Sequence, residues 1–124
     1  MNNSRILAEK DWISSLDEFS RKHKKWLVNL ETERDNFHET LGLSLPLDKI
    51  QLCSSPEGKY EVQIMLRNAR KAQTNYKIKN IKKLEIEKDM VGADKALHFT
   101  SEDGTKTTLK FQSTALPETV DGLI

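Results

Sequence analysis

The chain has 124 residues, which fits a single domain, because typical domains contain roughly 100 to 150 residues. Hydrophobic residues make up 36% of the chain and charged residues 31%, and the hydrophobic ones follow regular patterns, which excludes a globally disordered chain. The 20 basic and 19 acidic residues give a net charge of +1, so binding to nucleic acid or to a membrane surface would need a local patch of charge.

Residues 8–23 are predicted to form an amphipathic helix. Trp12, Leu16 and Phe19 recur at helical spacing and make one apolar stripe, with Ile13 beside it. The acidic residues come early in the segment and basic residues come late, which is the order that a helix dipole favours. We therefore expect a surface helix that packs its apolar stripe against the rest of the domain.

From Trp26 to Phe111 the hydrophobic residues alternate in short runs, as they do in β-strands. The clearest run is 60–67, in which every second residue is apolar. Residues 34–44 show no clean period and contain Gly42, so they are predicted to be a loop, and Pro46 is predicted to begin a strand. Strands are expected in residues 26–33, 46–53, 60–67, 76–78, 83–87, 97–99 and 107–111.

These elements together predict the fold class. A glycine turn at Asp103-Gly104 is a strong hairpin signal, and the strands follow one another with short connections. We expect one α+β domain over residues 1–111, in which the N-terminal helix packs on an antiparallel meander of six or seven strands. That sheet would be strongly twisted or partly closed into a barrel. Residues 112–124 contain no lysine or arginine and no period, and they are predicted to form a mobile C-terminal tail.

Five short motifs occur in order over about residues 11–111. They are D-W-I-x-x-L-D-E-F-S-R-K-H at 11–23, W-L-V-x-L-E at 26–31, L-P-L-x-x-I at 45–50, G-A-D-K-A-L at 92–97 and S-E-D-G-T at 101–105. Taken together, they resemble a bacterial family of small single-domain proteins that is catalogued as a domain of unknown function. The resemblance implies one compact domain in a bacterial cytoplasm and implies no activity. It also leads us to expect glycine just before Trp26 and proline near residues 79–80, where this chain has Lys25 and Lys79-Asn80.

The sequence also bears on location. The single cysteine, Cys53, cannot form an internal disulfide, whereas small secreted domains usually carry several cysteines. The N-terminus has no apolar run suited to a signal peptide, and no 18 consecutive residues are apolar. We therefore expect a cytoplasmic protein with no membrane partner, in which Cys53 is an ordinary strand residue.

The sequence predicts no catalytic, metal-binding or cofactor-binding residues. His23, His38 and His98 lack metal-ligand spacing, and the five glycines lie too far apart for a phosphate-binding loop. The least favoured interpretation is a small enzyme with His23 as general base, for which Asp17 or Glu31 would have to orient the imidazole. The structural alternative places His23 at the helix C-terminus, where it would pair with carbonyls of the last turn.

The favoured hypothesis is therefore a non-catalytic binding or protein-interaction module. It would work through the 34–44 loop and an exposed sheet edge, with Phe37 and His38 as candidate partner-binding residues. A Phe37 side chain tucked onto the core remains the competing interpretation of that position.

The alternative function is weak nucleic-acid binding through a basic sheet face at residues 67–83. Only one acidic residue, Glu61, lies between Tyr60 and Lys83, and useful binding needs several converging phosphate contacts. A solvated, lysine-rich face that deters edge pairing explains the same pattern and is favoured over it. The candidate nucleic-acid-binding residues are Arg67, Arg70, Lys71, Lys77, Lys79, Lys82 and Lys83.

Overall fold

A computed structural model describes residues 3–68, 70 and 72–113 of the protein. A 3-10 turn (Glu9–Asp11) leads into a single α-helix, α1 (Trp12–Lys22). The strands pair only in the antiparallel sense within the described part of the chain. They are β1 (Asn3–Ile6), β2 (Leu27–Arg34), β3 (Phe37–Ser54), β4 (Tyr60–Arg67), β5 (Gln73–Ile78), β6 (Ile81–Lys88), β7 (Asp94–Ser101) and β8 (Lys106–Ser113).

The helix α1 confirms the amphipathic helix that the sequence predicts. Trp12, Leu16 and Phe19 are buried on one face, whereas Ile13 points to solvent. The helix ends at His23, whose backbone N–H donates a 3.0 Å hydrogen bond to the Phe19 carbonyl. No described helix is long and apolar enough to span a membrane.

The eight strands lie in the order β1-β6-β7-β8-β2-β3-β4-β5. The 18-residue strand β3 belongs to two parts of this sheet: its residues 37–46 pair with β2, and its residues 47–54 pair with β4. The change of partner occurs at Pro46, which has no backbone N–H to add to a ladder. The larger part of the sheet therefore contains β1, β6, β7, β8, β2 and the first half of β3, and the smaller part contains the second half of β3, β4 and β5.

The helix packs on the inner face of the curved sheet. The Trp12 ring meets the Tyr60 ring of β4 edge-on at 5.3 Å, and the Phe19 ring stacks at 5.9 Å from the Phe111 ring of β8. The Ser20 hydroxyl accepts a 2.9 Å hydrogen bond from the backbone N–H of Ile50 on β3. The helix thus holds the two parts of the sheet against one continuous hydrophobic core.

The predicted loop at residues 34–44 is wrong. Asp35 and Asn36 have positive φ angles of 50° and 68°, which is typical of a tight two-residue hairpin turn, and β3 begins directly after them. Strand periodicity is hidden here because register shifts interrupt the β2–β3 ladder on both sides of Leu30. Gly42 is no strand breaker: a Cβ there would lie 2.9 Å from the Leu66 side chain, so glycine allows a close approach within the sheet.

The predicted number of strands and the predicted single meander also differ from the structure. There are eight strands among the described residues rather than six or seven, because β1 is a short polar segment with no alternation that pairs with β6 only in the folded chain. The sheet consists of two meanders, β2 to β5 and β6 to β8, which are joined by pairing between β8 and β2. The sheet is not closed. Pro46 lies within β3 and does not begin it.

The last strand extends through Ser113 and so includes the first two residues of the predicted tail. Residues 114–124 lie outside the described part of the chain. The turn between α1 and β2 contains Lys25 with a φ of 73°, a left-handed conformation that favours glycine, and its backbone N–H donates to the Leu47 carbonyl.

Candidate functional site

A cavity of about 490 Å³ lies on the part of the inner face that the helix does not cover. Because α1 has 11 residues, it is only about 16 Å long and reaches one end of the sheet. At the other end, β2, β3, β5 and the β7–β8 hairpin surround the open space. Its volume is in the range of roughly 300 to 1,000 Å³ that is typical of ligand sites.

The floor of the cavity combines apolar groups with hydroxyls. Leu30 of β2 and Ile78 of β5 are buried beneath it. Ser101 and Thr107 also line it, although they are only 6% and 3% exposed. The cavity therefore offers an apolar surface together with groups that can donate or accept a hydrogen bond.

The cavity extends along the free edge of β5. Five consecutive residues, 76–80, line it: the last three of β5 and the two that follow, although successive side chains of a strand point to opposite faces. The cavity must therefore reach the backbone of the strand and not only one of its faces. β5 pairs with β4 on one side and forms one end of the sheet, so its other edge has no strand partner in the described part of the chain.

Two hydrogen bonds anchor the C-terminal half of this edge. The Tyr76 hydroxyl donates a 3.0 Å hydrogen bond to the Leu41 carbonyl, which ties β5 to the first half of β3 across the inner face. Directly after β5, the Asn80 carbonyl accepts a 2.9 Å hydrogen bond from the Glu102 N–H in the β7–β8 turn. These contacts fix the position of the edge in the absence of any ligand.

The hairpin tip places Phe37 near the mouth of the cavity. Leu30, Thr32 and Arg34 alternate on the inner face of β2, and Phe37 is directly opposite Arg34, so it shares that face. Its side chain is 67% exposed. The interpretation of Phe37 as an exposed aromatic residue therefore agrees with the structure, although the residue lies on a strand and not in a loop.

His38 lies on the opposite face of the same hairpin. It is opposite Glu33 in the ladder, and its Nε2 lies 3.1 Å from a carboxylate oxygen of Glu31. Lys110 also pairs with that oxygen, at 3.3 Å. The structure thus separates the two candidate partner-binding residues, because neighbours along a strand point to opposite sides.

The candidate basic residues form two groups and not one patch. Arg67 and Arg70 are at the β4–β5 turn, where Arg67 pairs with the Asp48 carboxylate at 3.2 Å. Arg67 is opposite Gln73 of β5 in the ladder. Lys77 lies four residues further along β5 than Gln73, which places it about 13 Å away from Gln73. Lys79, Lys82 and Lys83 follow it, and Lys71 lies outside the described residues. Of the seven, Lys77 and Lys79 line the cavity.

His23 and Asp94 form a second cluster of polar groups. His23 is fully buried, with Nδ1 3.0 Å from the Phe19 carbonyl and Nε2 3.3 Å from a carboxylate oxygen of Asp94, to which the ring is not aligned for a hydrogen bond. Burial lowers the pKa of His23, and this outweighs the carbonyl contact and the Asp94 charge, which raise it. Burial alone would raise the pKa of Asp94, but Lys22 and Lys88, at 3.0 and 3.2 Å, outweigh it and lower that pKa.

Aromatic rings close off this cluster. The His23 ring stacks at 4.2 Å from the Phe111 ring and meets the Trp26 ring edge-on at 4.6 Å. A general base needs access to its substrate, and this imidazole has none. The carboxylates that sequence reasoning nominated lie elsewhere: Asp17 pairs with Arg21 on the surface, and Glu31 pairs with His38. Asp94 is 71 positions away in sequence, so no local signal identifies it as the partner of His23.

The outer face carries a chain of hydrogen bonds that superficially resembles a catalytic triad. Thr108 Oγ1 lies 3.0 Å from His98 Nδ1, and His98 Nε2 lies 2.8 Å from a Glu87 carboxylate oxygen. However, β8 is paired on both sides, so its backbone N–H groups lie in the plane of the sheet and bond to β7 and β2. These N–H groups cannot stabilise an oxyanion above Thr108. The three hydrogen-bonded side chains are therefore best described as a cross-strand pairing.

Within the described residues, no group of three or more His, Cys, Asp or Glu side chains is arranged to hold a metal ion. Comparisons with protein-family models, with curated proteins and with solved structures found no match to this chain.

Proposed function

We propose that this protein is a non-catalytic interaction module that binds an extended segment of a partner protein along the free edge of β5. The observation that carries the proposal is the combination of an unpaired strand edge with a cavity directly beside it. In this mode of recognition, backbone hydrogen bonds supply affinity and pockets for alternate side chains supply specificity.

The shape of the sheet supports an added strand. The smaller part contains only the second half of β3, β4 and β5, so it leaves part of the larger inner face uncovered. A strand paired with β5 would extend the smaller part over Thr32 and Thr107, which are opposite each other on β2 and β8. Its inward side chains would enter the cavity and would cover apolar surface that α1 does not reach.

The anchoring of β5 supports the same proposal. An edge that is fixed by the Tyr76 and Asn80 hydrogen bonds needs little ordering when a ligand pairs with it. Less conformational entropy is then lost on binding, which raises affinity. Phe37, which is exposed near the mouth of the cavity, adds apolar contact area on the same face.

The proposal is tested with peptides selected from a random library against the intact protein. We expect the selected peptides to shift the NMR amide signals of residues 73–79 and of Thr32 and Thr107. The variant Thr32→Phe fills the cavity and should weaken binding by roughly tenfold or more, since it removes the space for one inward side chain.

The matched control is Glu33→Phe, which adds the same side chain one residue further along β2, on the outer face. It should bind the selected peptides as the unmodified protein does. Peptides whose signals map to another surface, or that lose equal affinity in both variants, would show that the β5 edge is not the binding site.

A further inference from the structure

We infer that the segment bound by β5 is acidic on the side that faces away from the cavity, with glutamate or aspartate alternating with apolar residues. This inference rests on the proposed function and adds the chemical class of the partner. It is carried by the charges that flank the free edge and by the alternation of the strand itself.

Lys77 and Lys79 provide the first step. Both are exposed, both line the cavity, and within the described residues neither forms an ion pair. Some lysines do have acidic partners, as Lys110 does with Glu31 at 3.3 Å. Other exposed sheet lysines, such as Lys82 and Lys106, have no ion pair among the described residues either, but they do not line this cavity. The position of Lys77 and Lys79 beside the open edge, and not their lack of a partner alone, therefore carries this step.

The alternation of β5 provides the second step. Tyr76 and Ile78 point inward, and Lys77 points to the outer face. A strand paired with β5 has the same alternation, so the partner residues beside Tyr76 and Ile78 face the cavity and those beside Lys77 face solvent. Inward positions favour apolar side chains, because Leu30 and Ile78 lie beneath them. Outward positions favour carboxylates, since cross-strand pairs of opposite charge stabilise a sheet.

The lysines also disfavour an obvious competitor, a second copy of this chain. Antiparallel pairing of β5 with β5 of another molecule in the register centred on Ile78 would place Lys77 opposite Lys79, and like charges directly opposite each other are destabilising. Lysine on an edge strand is a common means of preventing self-association. The same residues therefore reject a second copy and attract an acidic segment.

The experiment uses three synthetic peptides of one length that alternate valine with glutamate, with glutamine or with lysine. Binding to the intact protein is measured by fluorescence anisotropy at low and at high salt. We expect the glutamate peptide to bind roughly tenfold more tightly than the glutamine peptide, with a difference that shrinks in high salt. The lysine peptide should bind least.

Charge reversal tests whether Lys77 and Lys79 select the acidic peptide. The double variant Lys77→Glu, Lys79→Glu should reverse the order, so that the lysine peptide binds best. The matched control reverses two exposed lysines at the two ends of the helical segment, Lys10→Glu and Lys24→Glu, and so changes the net charge equally. It should keep the original order.

The outcomes separate this inference from the proposed function. If the glutamate and glutamine peptides bind equally, the partner need not be acidic, and the inference fails while edge binding stands. If none of the peptides binds, both fail. A single-stranded oligonucleotide that binds more tightly than the glutamate peptide, and that is lost in the Lys77, Lys79 variant, would assign these lysines to nucleic acid and would overturn the inference.

Discussion

His23 follows the last turn of α1 and packs against the rings of both Phe19 and Phe111, which also contact each other. A helix-end histidine was predictable from the charge order of the segment, and its contact with the Phe19 carbonyl agrees with that prediction. Its complete burial was not predictable, because the residues that enclose it come from β7 and β8 and from the turn before β2. The carboxylate of Asp94 is held beside it by Lys22 and Lys88, so this carboxylate has counter-ions without a charged imidazole.

This arrangement predicts a pH-dependent stability. Burial lowers the pKa of His23 below its ordinary value of 6.5, so the unfolded chain binds a proton more readily than the folded protein does. The contribution of His23 to the free energy of unfolding is complete above pH 6.5 and declines as the pH falls below 6.5 towards its folded-state pKa. Replacement by phenylalanine, His23→Phe, keeps an aromatic ring and removes the titration.

Urea unfolding at several pH values above and below 6.5 measures this effect. We expect the unmodified protein to lose more stability on acidification than His23→Phe does. The lowered pKa of Asp94 changes the free energy of unfolding only below pH 3.8, the ordinary pKa of that group, so it does not affect the comparison just below pH 6.5. Equal losses in the two proteins would show that burial does not lower the pKa of His23.

At the scale of the elements, uninterrupted alternation decides what the sequence can predict. The prediction of β4 matches its observed bounds, because the buried residues Val62, Ile64 and Leu66 recur at every second position without a break. The first half of β3 escapes prediction, because register shifts around Leu30 offset its pattern from that of β2. β1 has no pattern of its own and is a strand only because β6 offers it an edge.

The turn between α1 and β2 supplies a prediction at this scale. Lys25 has a φ of 73°, which is unfavourable for a residue with a Cβ. We expect Lys25→Gly to raise the free energy of unfolding by about 0.5 to 1 kcal/mol, since relief of the backbone strain exceeds the added entropy of the unfolded chain. Chemical denaturation measures the change.

The neighbouring residue gives the control for that turn. Lys24 does not have a positive φ, so Lys24→Gly brings no relief and should leave stability unchanged or lower it by a few tenths of a kcal/mol. If both glycine variants change stability in the same direction and by the same amount, the left-handed conformation of Lys25 is not the cause.

At the scale of the whole molecule, the candidate site arises from an arrangement that no single segment contains. Leu30, Tyr76 and Ser101 line one cavity, although they come from three distant parts of the chain. The sequence predicts an exposed sheet edge, but the identity of that edge depends on the pairing of β8 with β2, which leaves β5 at the end of the sheet. Local patterns therefore do not identify this edge, although Phe37, which the sequence does single out, lies on the same face of the sheet as Thr32 of the cavity.

The open edge predicts a pattern of amide hydrogen exchange across the molecule. β8 is paired on both sides over Lys106–Lys110, and β2 is paired on both sides over most of its length, so the amides of these stretches should be protected. In β5, alternate N–H groups bond to β4 and the others face the free edge, so protection should alternate from one residue to the next. Mass spectrometry does not resolve this alternation, but exchange followed by NMR does.

A bound peptide should slow the unprotected β5 amides by about a hundredfold and leave those of β1, the other edge, unchanged, because it adds hydrogen bonds only along β5. Uniform protection along β5 in the free protein would mean that its edge is already covered.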